Sequence, residues 1–160
     1  NRSIKLLASS RKAGSSYRCM VAPYMIDSAH PLCGVNGVFN GIFLHGNALG
    51  DAMFYGSGAG KLPTASAVVA DVVDMARHQH TNIYIDWKPE KLTLVSYDDS
   101  VNRFFVRTDS PKEEVEKIFG NVSYVENVVD GEYGFTTEAM AEKDFAAKAD
   151  KINVINRIRL

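Results

Sequence analysis

The chain has 160 residues, of which 46% are hydrophobic and 23% are charged, and its formal net charge is −1. This composition is typical of a globular protein with a hydrophobic core, in one domain or two small ones. The near-neutral charge gives no electrostatic basis for binding nucleic acid or a membrane surface.

Membrane and export signals are missing from the sequence. No apolar run reaches the length of about 20 residues that a membrane-spanning helix needs, and no signal peptide opens the chain. The two cysteines, Cys19 and Cys33, are too few for a disulfide framework and suit a reducing compartment. We therefore expect a cytoplasmic protein in which both thiols are buried or half-buried.

Residues 1–80 predict several strands followed by one long helix. Apolar runs with strand character lie at residues 4–10, 17–25 and 38–45. The first two runs are joined by a turn over residues 12–16, and Pro23 predicts that the second strand lies at a sheet edge or ends there. From about residue 64 to residue 78, valines recur at helical spacing opposite two aspartates, which predicts an amphipathic helix.

A glycine-rich bend over residues 56–60 precedes this helix. Such a bend lets backbone N–H groups and a helix N-terminus face a ligand at close range. It is not a P-loop, because Tyr55 stands where the first glycine belongs and Leu62 stands where Ser or Thr belongs. It is not a G-x-G-x-x-G fingerprint either, because the last glycine position holds Lys61 or Pro63. The residues alone leave open a ligand site or a plain strand-to-helix turn.

The residues around the bend resemble a known family. The matching segments, in order, are HPL (30–32), VNGVFN (35–40), GNALGD (46–51), the bend itself and PTASAVV (63–69). Together they resemble the C-terminal part of the catalytic region of homoserine dehydrogenase, over about residues 1–80. In that family the helix packs on the nucleotide-binding domain, and the glycine bend lies against the NAD(P) cofactor. The resemblance implies cofactor contacts at Gly56, Gly58, Ala59 and Gly60, with Thr64 at the helix start.

The parts of the family that carry its chemistry have no counterpart in these residues. The nucleotide-binding domain and the D-x-x-G-x-D-x-x-x-K segment, with the substrate aspartate and the catalytic lysine, lie upstream in the family. We therefore expect a truncated piece of a larger enzyme, with no catalytic residue and no turnover of homoserine by itself. Its partners would be the missing nucleotide-binding domain and a second copy, since exposed apolar surfaces favour self-association into a dimer.

Residues 101–160 follow a linker at about 81–100 and predict the order β-α-β-β-α-β. The first helix has a capping-box start, with Ser110 as N-cap and Glu113 three residues later, and Gly120 as its stop. Asp130-Gly131 predicts a tight hairpin. The expected strands lie at 102–108, 122–129, 132–137 and 154–160, and the second helix at about 141–151. The crossovers predict a ferredoxin-like sheet with two helices on one side.

This element order, at the C-terminus of a homoserine dehydrogenase, resembles an ACT regulatory domain, which typically senses threonine in that family. The resemblance implies an effector site at Asp109 and Ser110. ACT effector sites usually have a glycine at this strand-to-helix turn, where the ligand reaches backbone amides. Lys112 takes the place of that glycine here and would crowd the site. Amino-acid sensing and a subunit-assembly role therefore both stay open.

Other polar residues give weaker signals. Asn36 and Asn40 either face substrate or pin a turn. His78 and His80 are two apart at a helix end, which is too little for a metal site without Cys or acidic partners nearby, so no metal site is predicted.

These observations predict an α+β protein: a partial catalytic-region mixed sheet with one long helix, then a ferredoxin-like, ACT-like domain. The implied function is the C-terminal part of an NAD(P)-dependent homoserine dehydrogenase. That enzyme interconverts L-homoserine and L-aspartate 4-semialdehyde in threonine and methionine biosynthesis. The alternative is a stand-alone amino-acid-sensing or assembly module without catalysis. The choice between NAD and NADP would be made in the missing domain.

Overall fold

The computed structural model describes residues 2–82 and 84–160, which contain strands and helices in the mixture that the sequence predicts. The strands are β1 Arg2–Ala13, β2 Ser16–Asp27, β3 Phe39–Gly46, β4 Gly50–Ser57, β5 Val101–Asn102, β6 Phe104–Thr108, β7 Ser123–Val129, β8 Glu132–Thr136, β9 Met140–Ala141 and β10 Val154–Arg159. The α-helices are α1 Lys61–Arg77, α2 Lys112–Phe119 and α3 Glu142–Ala149, and a short 3₁₀-helix covers Pro31–Gly34. The predicted α+β class is confirmed.

The described residues form two compact units. The hairpin–helix unit covers residues 27–90 apart from 83, and the six-stranded unit combines residues 2–26 with residues 91–160. The two strands that open the chain therefore belong with the C-terminal elements. This division by contacts differs from the division by resemblance, at 80 and 101, which stays a prediction.

The six-stranded unit is built on a mixed sheet with the strand order β1-β2-β10-β6-β8-β7. Strand β10 pairs parallel with β2 and antiparallel with β6, and β8 pairs antiparallel with both β6 and β7. The prediction from Pro23 is wrong, because β2 runs through it and lies between two strands. The pairing of β2 with β10 is short and centres on Tyr24 and Arg159, so a missing N–H at position 23 costs few ladder hydrogen bonds.

The core of this unit lies between its sheet and the helices α2 and α3. Its fully or almost fully buried side chains are Phe104, Val106, Val115, Phe119, Phe135 and Phe145. The rings of Phe104 and Phe145 stack with centroids 4.0 Å apart, and those of Phe119 and Phe135 meet edge to face at 5.2 Å. Burying each such side chain contributes about 1.5–3 kcal/mol. Val115, Phe119 and Phe145 are therefore the buried residues by which α2 and α3 contribute to this core.

The sequence predicts three local signals in the C-terminal elements. The helix stop at Gly120 and the hairpin turn at Gly131 are confirmed, and the capping box at the start of α2 is not. Gly120 ends α2 with φ 78°, and Gly131 forms the hairpin turn with φ 80°, both in the left-handed region. The capping box is wrong: α2 begins at Lys112 after Pro111, and no side chain caps it. The hydroxyl of Ser110 instead accepts a hydrogen bond from the N–H of Asn153 at 2.9 Å. The Ser110 hydroxyl oxygen, which would cap the helix, therefore bonds to Asn153, a residue distant in the sequence.

Smaller differences concern element bounds and the cysteines. The predicted strand at 102–108 is split at Arg103 into β5, which pairs with β9, and β6, which joins the main sheet. Cys19 is exposed rather than half-buried, because it alternates onto the outer face of β2 opposite the buried Met20, while Cys33 is half-buried.

An ion pair between the buried Glu142 and the half-buried Arg159 ties three elements of the six-stranded unit together. Glu142, the first residue of α3, is 3% exposed, and its Oε1 accepts hydrogen bonds from Arg159 Nε at 2.6 Å and Asn102 Nδ2 at 2.8 Å. Tyr97 donates to the other carboxylate oxygen at 3.2 Å and accepts from Arg159 Nη2 at 2.7 Å. Burial alone lowers the pKa of Arg159, but the hydrogen bond and charge of Glu142 outweigh it, so the pKa is raised.

We expect Glu142→Ala to destabilise the protein by about 1.5–3 kcal/mol, because Arg159 and Asn102 lose the carboxylate that accepts their hydrogen bonds. Urea-induced unfolding followed by circular dichroism measures this change. Glu114→Ala, at an exposed site in the first turn of α2, is the control and should stay within about 1 kcal/mol of wild type. Equal stability of the two variants would show that the ion pair is not a stabilising contact.

The hairpin–helix unit has strands and a helix but no core of its own. Strands β3 and β4 form a continuous antiparallel ladder from Phe39–Ser57 to Gly46–Gly50. Among the described residues of this unit, none is buried. The predicted apolar face of α1 is present but open: its valines are exposed by 58% (Val68), 59% (Val69), 54% (Val72) and 41% (Val73). An amphipathic helix with an open apolar face needs a partner surface to be stable in water.

No helix in the described part of the chain is long and apolar enough to span a bilayer.

Candidate functional site

The glycine bend joins the last strand of the hairpin to the helix. Gly56 and Ser57 end β4, Gly58-Ala59-Gly60 form the bend, and α1 begins at Lys61. The structure therefore places all the sequence-predicted cofactor residues on one strand–bend–helix junction. Thr64 is in the first turn of α1 rather than at its start. The helix begins three residues earlier than predicted because proline is tolerated in a first turn, so Pro63 does not delay it.

The entry to the bend contacts Val38, the residue just before β3, and Asn40 of β3. The N–H of Gly58 donates to the carbonyl oxygen of Val38 at 3.3 Å. A Cβ placed on Gly58 would overlap Nδ2 of Asn40, so a side chain there would require the carboxamide to move. Gly58 has no positive φ, so the space taken by Asn40, and not the backbone conformation, favours glycine there.

The exit from the bend is held by backbone conformation. Gly60 has φ 122° and ψ 158°, a region that is accessible essentially to glycine alone. Its carbonyl oxygen accepts a hydrogen bond from the N–H of Thr64 at 3.2 Å, and the ring of Pro63 packs 3.5 Å from where a Cβ would be. The bend is therefore fixed at both ends by different causes, steric at Gly58 and conformational at Gly60.

The electrostatics of the junction favour an anionic group. The helix α1 has 17 residues, so its aligned peptide dipoles put a partial positive charge of about half a unit at its N-terminus. The first turn, Lys61-Leu62-Pro63-Thr64, has a lysine and no carboxylate, and Arg77 lies in the last turn. A phosphate group of a dinucleotide is the kind of ligand that such a junction suits. The residues present fit the anionic part of a NAD(P) cofactor in charge.

Two histidines of the hairpin–helix unit, His45 and His78, each pair with an aspartate. Nδ1 of His45 lies 2.5 Å from Oδ1 of Asp51 across the hairpin tip, and Nδ1 of His78 lies 3.2 Å from Oδ1 of Asp74. All four side chains are largely exposed. Within residues 2–82 and 84–160, no three His, Cys, Asp or Glu side chains are grouped so that they could hold a metal ion.

The turn between β6 and α2, predicted as an effector site, is closed by internal hydrogen bonds. The N–H of Ser110 donates to Oγ1 of Thr108 at 3.0 Å, and its carbonyl oxygen accepts from Tyr133 Oη at 2.7 Å. Asn153 donates from its side chain to Oδ1 of Asp109 at 2.9 Å and from its backbone to the Ser110 hydroxyl. Sequence reasoning missed Asn153 and Tyr133, since both are distant along the chain and no local signal links them to this turn.

Lys112, at the position of the usual glycine, lies over two tyrosines of the same unit. Its Nζ is 4.8 Å from the ring centroid of Tyr124 and 5.6 Å from that of Tyr133, which are cation–π distances. Tyr124 donates to Oε1 of Glu116 at 3.0 Å. Burial, with the hydrogen bond and charge of Glu116, raises the pKa of Tyr124 to about 12. Burial and the same carboxylate also raise the pKa of Tyr133.

We expect the free energy of unfolding to fall between about pH 10 and about pH 12, in part because of Tyr124. The folded protein holds the Tyr124 proton more tightly than the unfolded chain, in which tyrosine has a pKa near 10. This stabilisation is therefore present below about pH 10 and lost as the pH rises to about 12. Urea unfolding at pH 9 and pH 11 should show a smaller loss for Tyr124→Phe than for wild type. Tyr84→Phe, at an exposed tyrosine, is the control, and an equal loss in all three proteins would contradict this assignment.

Comparison with known proteins gives one consistent family. The family model described as homoserine dehydrogenase matches residues 1–73, which include the bend and most of α1. A homoserine dehydrogenase of Neisseria gonorrhoeae is 34% identical over 118 residues, covering 69% of this chain and 27% of the relative. A homoserine dehydrogenase of a Synechocystis species is 50% identical over 76 residues, covering 45% of this chain and 18% of the relative.

Solved structures extend the similarity over both units. The crystal structure of a homoserine dehydrogenase from Thiobacillus denitrificans matches 99% of this chain with a TM-score of 0.80 and 27% identity, and 42% of that chain is covered. The S. aureus homoserine dehydrogenase structure at pH 7.0 matches with a TM-score of 0.70 and 25% identity, and 41% of it is covered. The chain thus spans less than half the length of the proteins it matches. In sequence and in fold, it belongs to the homoserine dehydrogenase family.

Proposed function

We propose that this chain is the C-terminal part of an NAD(P)-dependent homoserine dehydrogenase, an oxidoreductase that interconverts L-homoserine and L-aspartate 4-semialdehyde. The whole enzyme would serve threonine and methionine biosynthesis in the cytoplasm. The observation that carries the proposal is the strand–bend–helix junction at Gly56–Gly60, which lies inside the part of the chain that matches the family model.

The junction would form one wall of the cofactor site. Gly58, Ala59 and Gly60 would present the bend to the dinucleotide, and α1 would direct its positive end toward it. Gly56 supports this role, because a Cβ there would meet nothing within 4 Å and its φ is not positive. The described residues therefore give no local reason for a glycine at 56, whereas a ligand lying close to the backbone would. The bound cofactor supplies the hydride acceptor and donor of the reaction.

The remaining groups of the site would come from residues outside this sequence. The nucleotide-binding domain, the substrate aspartate and the catalytic lysine of the family are proposed to be supplied there. The open apolar face of α1 supports this proposal, since four valines exposed by 41–59% are what a covering domain would bury. We propose a homodimer as the assembly, because apolar side chains of the sheet are also exposed, with Leu6 at 74% and Val21 at 70%.

The activity is tested by expressing the chain together with its upstream nucleotide-binding domain and following NADPH or NADH oxidation with L-aspartate 4-semialdehyde. We expect turnover by this longer protein and none by the 160 residues alone, because the latter lack the family's lysine segment. A longer protein that is folded and binds the cofactor but does not reduce the semialdehyde would contradict the proposed reaction.

A second proposal concerns the C-terminal elements, which we propose form an ACT-like domain. The strand order β10-β6-β8-β7, with a helix after the first and third strands of the motif, agrees with a ferredoxin-like arrangement. The closed turn at Asp109 and Ser110 favours assembly over amino-acid sensing. A threonine bound there would have to replace hydrogen bonds that Asn153 and Tyr133 already make.

We therefore expect L-threonine at millimolar concentration to change the activity of the whole enzyme by less than about twofold. The measurement is the initial rate with and without threonine at a semialdehyde concentration near its KM. The control is Lys112→Gly, which restores the usual glycine of the ACT pattern. Strong inhibition of the wild-type enzyme that Tyr133→Phe weakens would instead place a threonine site at this turn.

A further inference from the structure

We propose that Asn40 is a positioning residue for the cofactor: its carboxamide holds Gly58, and so fixes where the glycine bend meets the dinucleotide. This inference rests on the proposed function and assigns a role to a side chain that touches the bend, not the reacting atoms.

The ladder between β3 and β4 ends just before the glycine bend. Asn40 lies on β3 opposite Gly56 of β4, and the ladder ends with the pair Phe39–Ser57. Beyond Ser57 the chain turns away into the bend. A strand ladder fixes the backbone that it pairs, so residues 58–60 need some other contact to keep their position relative to the hairpin.

The side chain of Asn40 makes a contact beyond the end of the ladder, with Gly58. Its side chain lies across the α-carbon of Gly58: a Cβ on Gly58 would overlap Nδ2 and would be 2.8 Å from Cγ of Asn40. Val38, the residue just before β3, accepts the Gly58 N–H at 3.3 Å. Gly58 thus has one backbone contact, with Val38, and one side-chain contact, with Asn40.

Asn36, the other candidate asparagine, makes a different contact from Asn40. Asn36 donates from Nδ2 to the carbonyl oxygen of Gly34 at 3.2 Å, so it pins the loop before β3. Asn40 acts on the bend instead. An amide side chain does not titrate near neutral pH, so Asn40 is not a candidate acid or base. Displacing a binding group by about 1 Å can weaken function up to a hundredfold, so the position of the bend is functionally important.

The test uses the whole enzyme and two readouts: the dissociation constant of NADPH from fluorescence titration, and the steady-state constants. We expect Asn40→Ala to raise the NADPH dissociation constant and the NADPH KM by about tenfold, about 1.4 kcal/mol of binding. The semialdehyde KM and kcat should stay within about twofold. Asn36→Ala is the matched control and should leave NADPH binding unchanged, while a fall in kcat for Asn40→Ala with unchanged NADPH binding would overturn the proposal.

A paired substitution tests the steric part directly. Gly58→Ala should weaken NADPH binding more than Asn40→Ala does, because the new Cβ collides with the carboxamide. The double variant Asn40→Ala with Gly58→Ala should bind NADPH better than Gly58→Ala alone, since the added methyl then fills the space that was vacated. A double variant that binds no better than Gly58→Ala would overturn the proposal.

The NADPH-binding results distinguish a failure of the positioning role of Asn40 from a failure of the proposed function. A wild-type enzyme that binds NADPH while Asn40→Ala binds it equally well would overturn the positioning role and leave the proposed function standing. A folded wild-type enzyme that binds neither NADPH nor NADH would overturn the proposed function, and the positioning role with it.

Discussion

Burial of apolar surface between one sheet face and the helices α2 and α3 is the interaction on which the described structure depends. Among the residues that the structure describes, every buried one belongs to the six-stranded unit, and the phenylalanines at positions 104, 119, 135 and 145 form its centre. The buried carboxylate of Glu142 and the half-buried guanidinium of Arg159 form an ion pair in the same unit. The hairpin–helix unit has no comparable interior, so its stability must come largely from surfaces that it meets in the whole protein.

The candidate cofactor junction does not need that core for its shape. Its two fixed points are local, with Val38 and Asn40 in contact with Gly58, and backbone conformation acting at Gly60. A binding bend that is shaped by its own strand and helix can be presented to a separate domain without distortion. This arrangement agrees with a site at a domain boundary, where one partner brings the bend and the other brings the nucleotide fold.

Sequence periodicity and glycine placement predicted most elements, because both act over a few residues. The helix stop at Gly120 and the hairpin turn at Gly131 both depend on neighbours in the chain. The failures depend on distant partners. Ser110 is drawn away from its cap by Asn153, which no local pattern indicates. The same holds for the ion pair of Glu142 and Arg159, while the matching segments around Gly56–Gly60 identified the family but could not reveal the contact between Asn40 and Gly58.

The pairing of β2 with β10 has a consequence for folding. These strands lie near opposite ends of the chain, and their register pair joins Tyr24 to Arg159. Closing so long a loop has a high entropic cost and raises the contact order of the six-stranded unit. The opening hairpin therefore cannot join the sheet until residues 154–159 have left the ribosome, and its apolar strands stay uncovered while the intervening residues are made. A chain with this topology folds late in synthesis and spends that interval open to association with other chains.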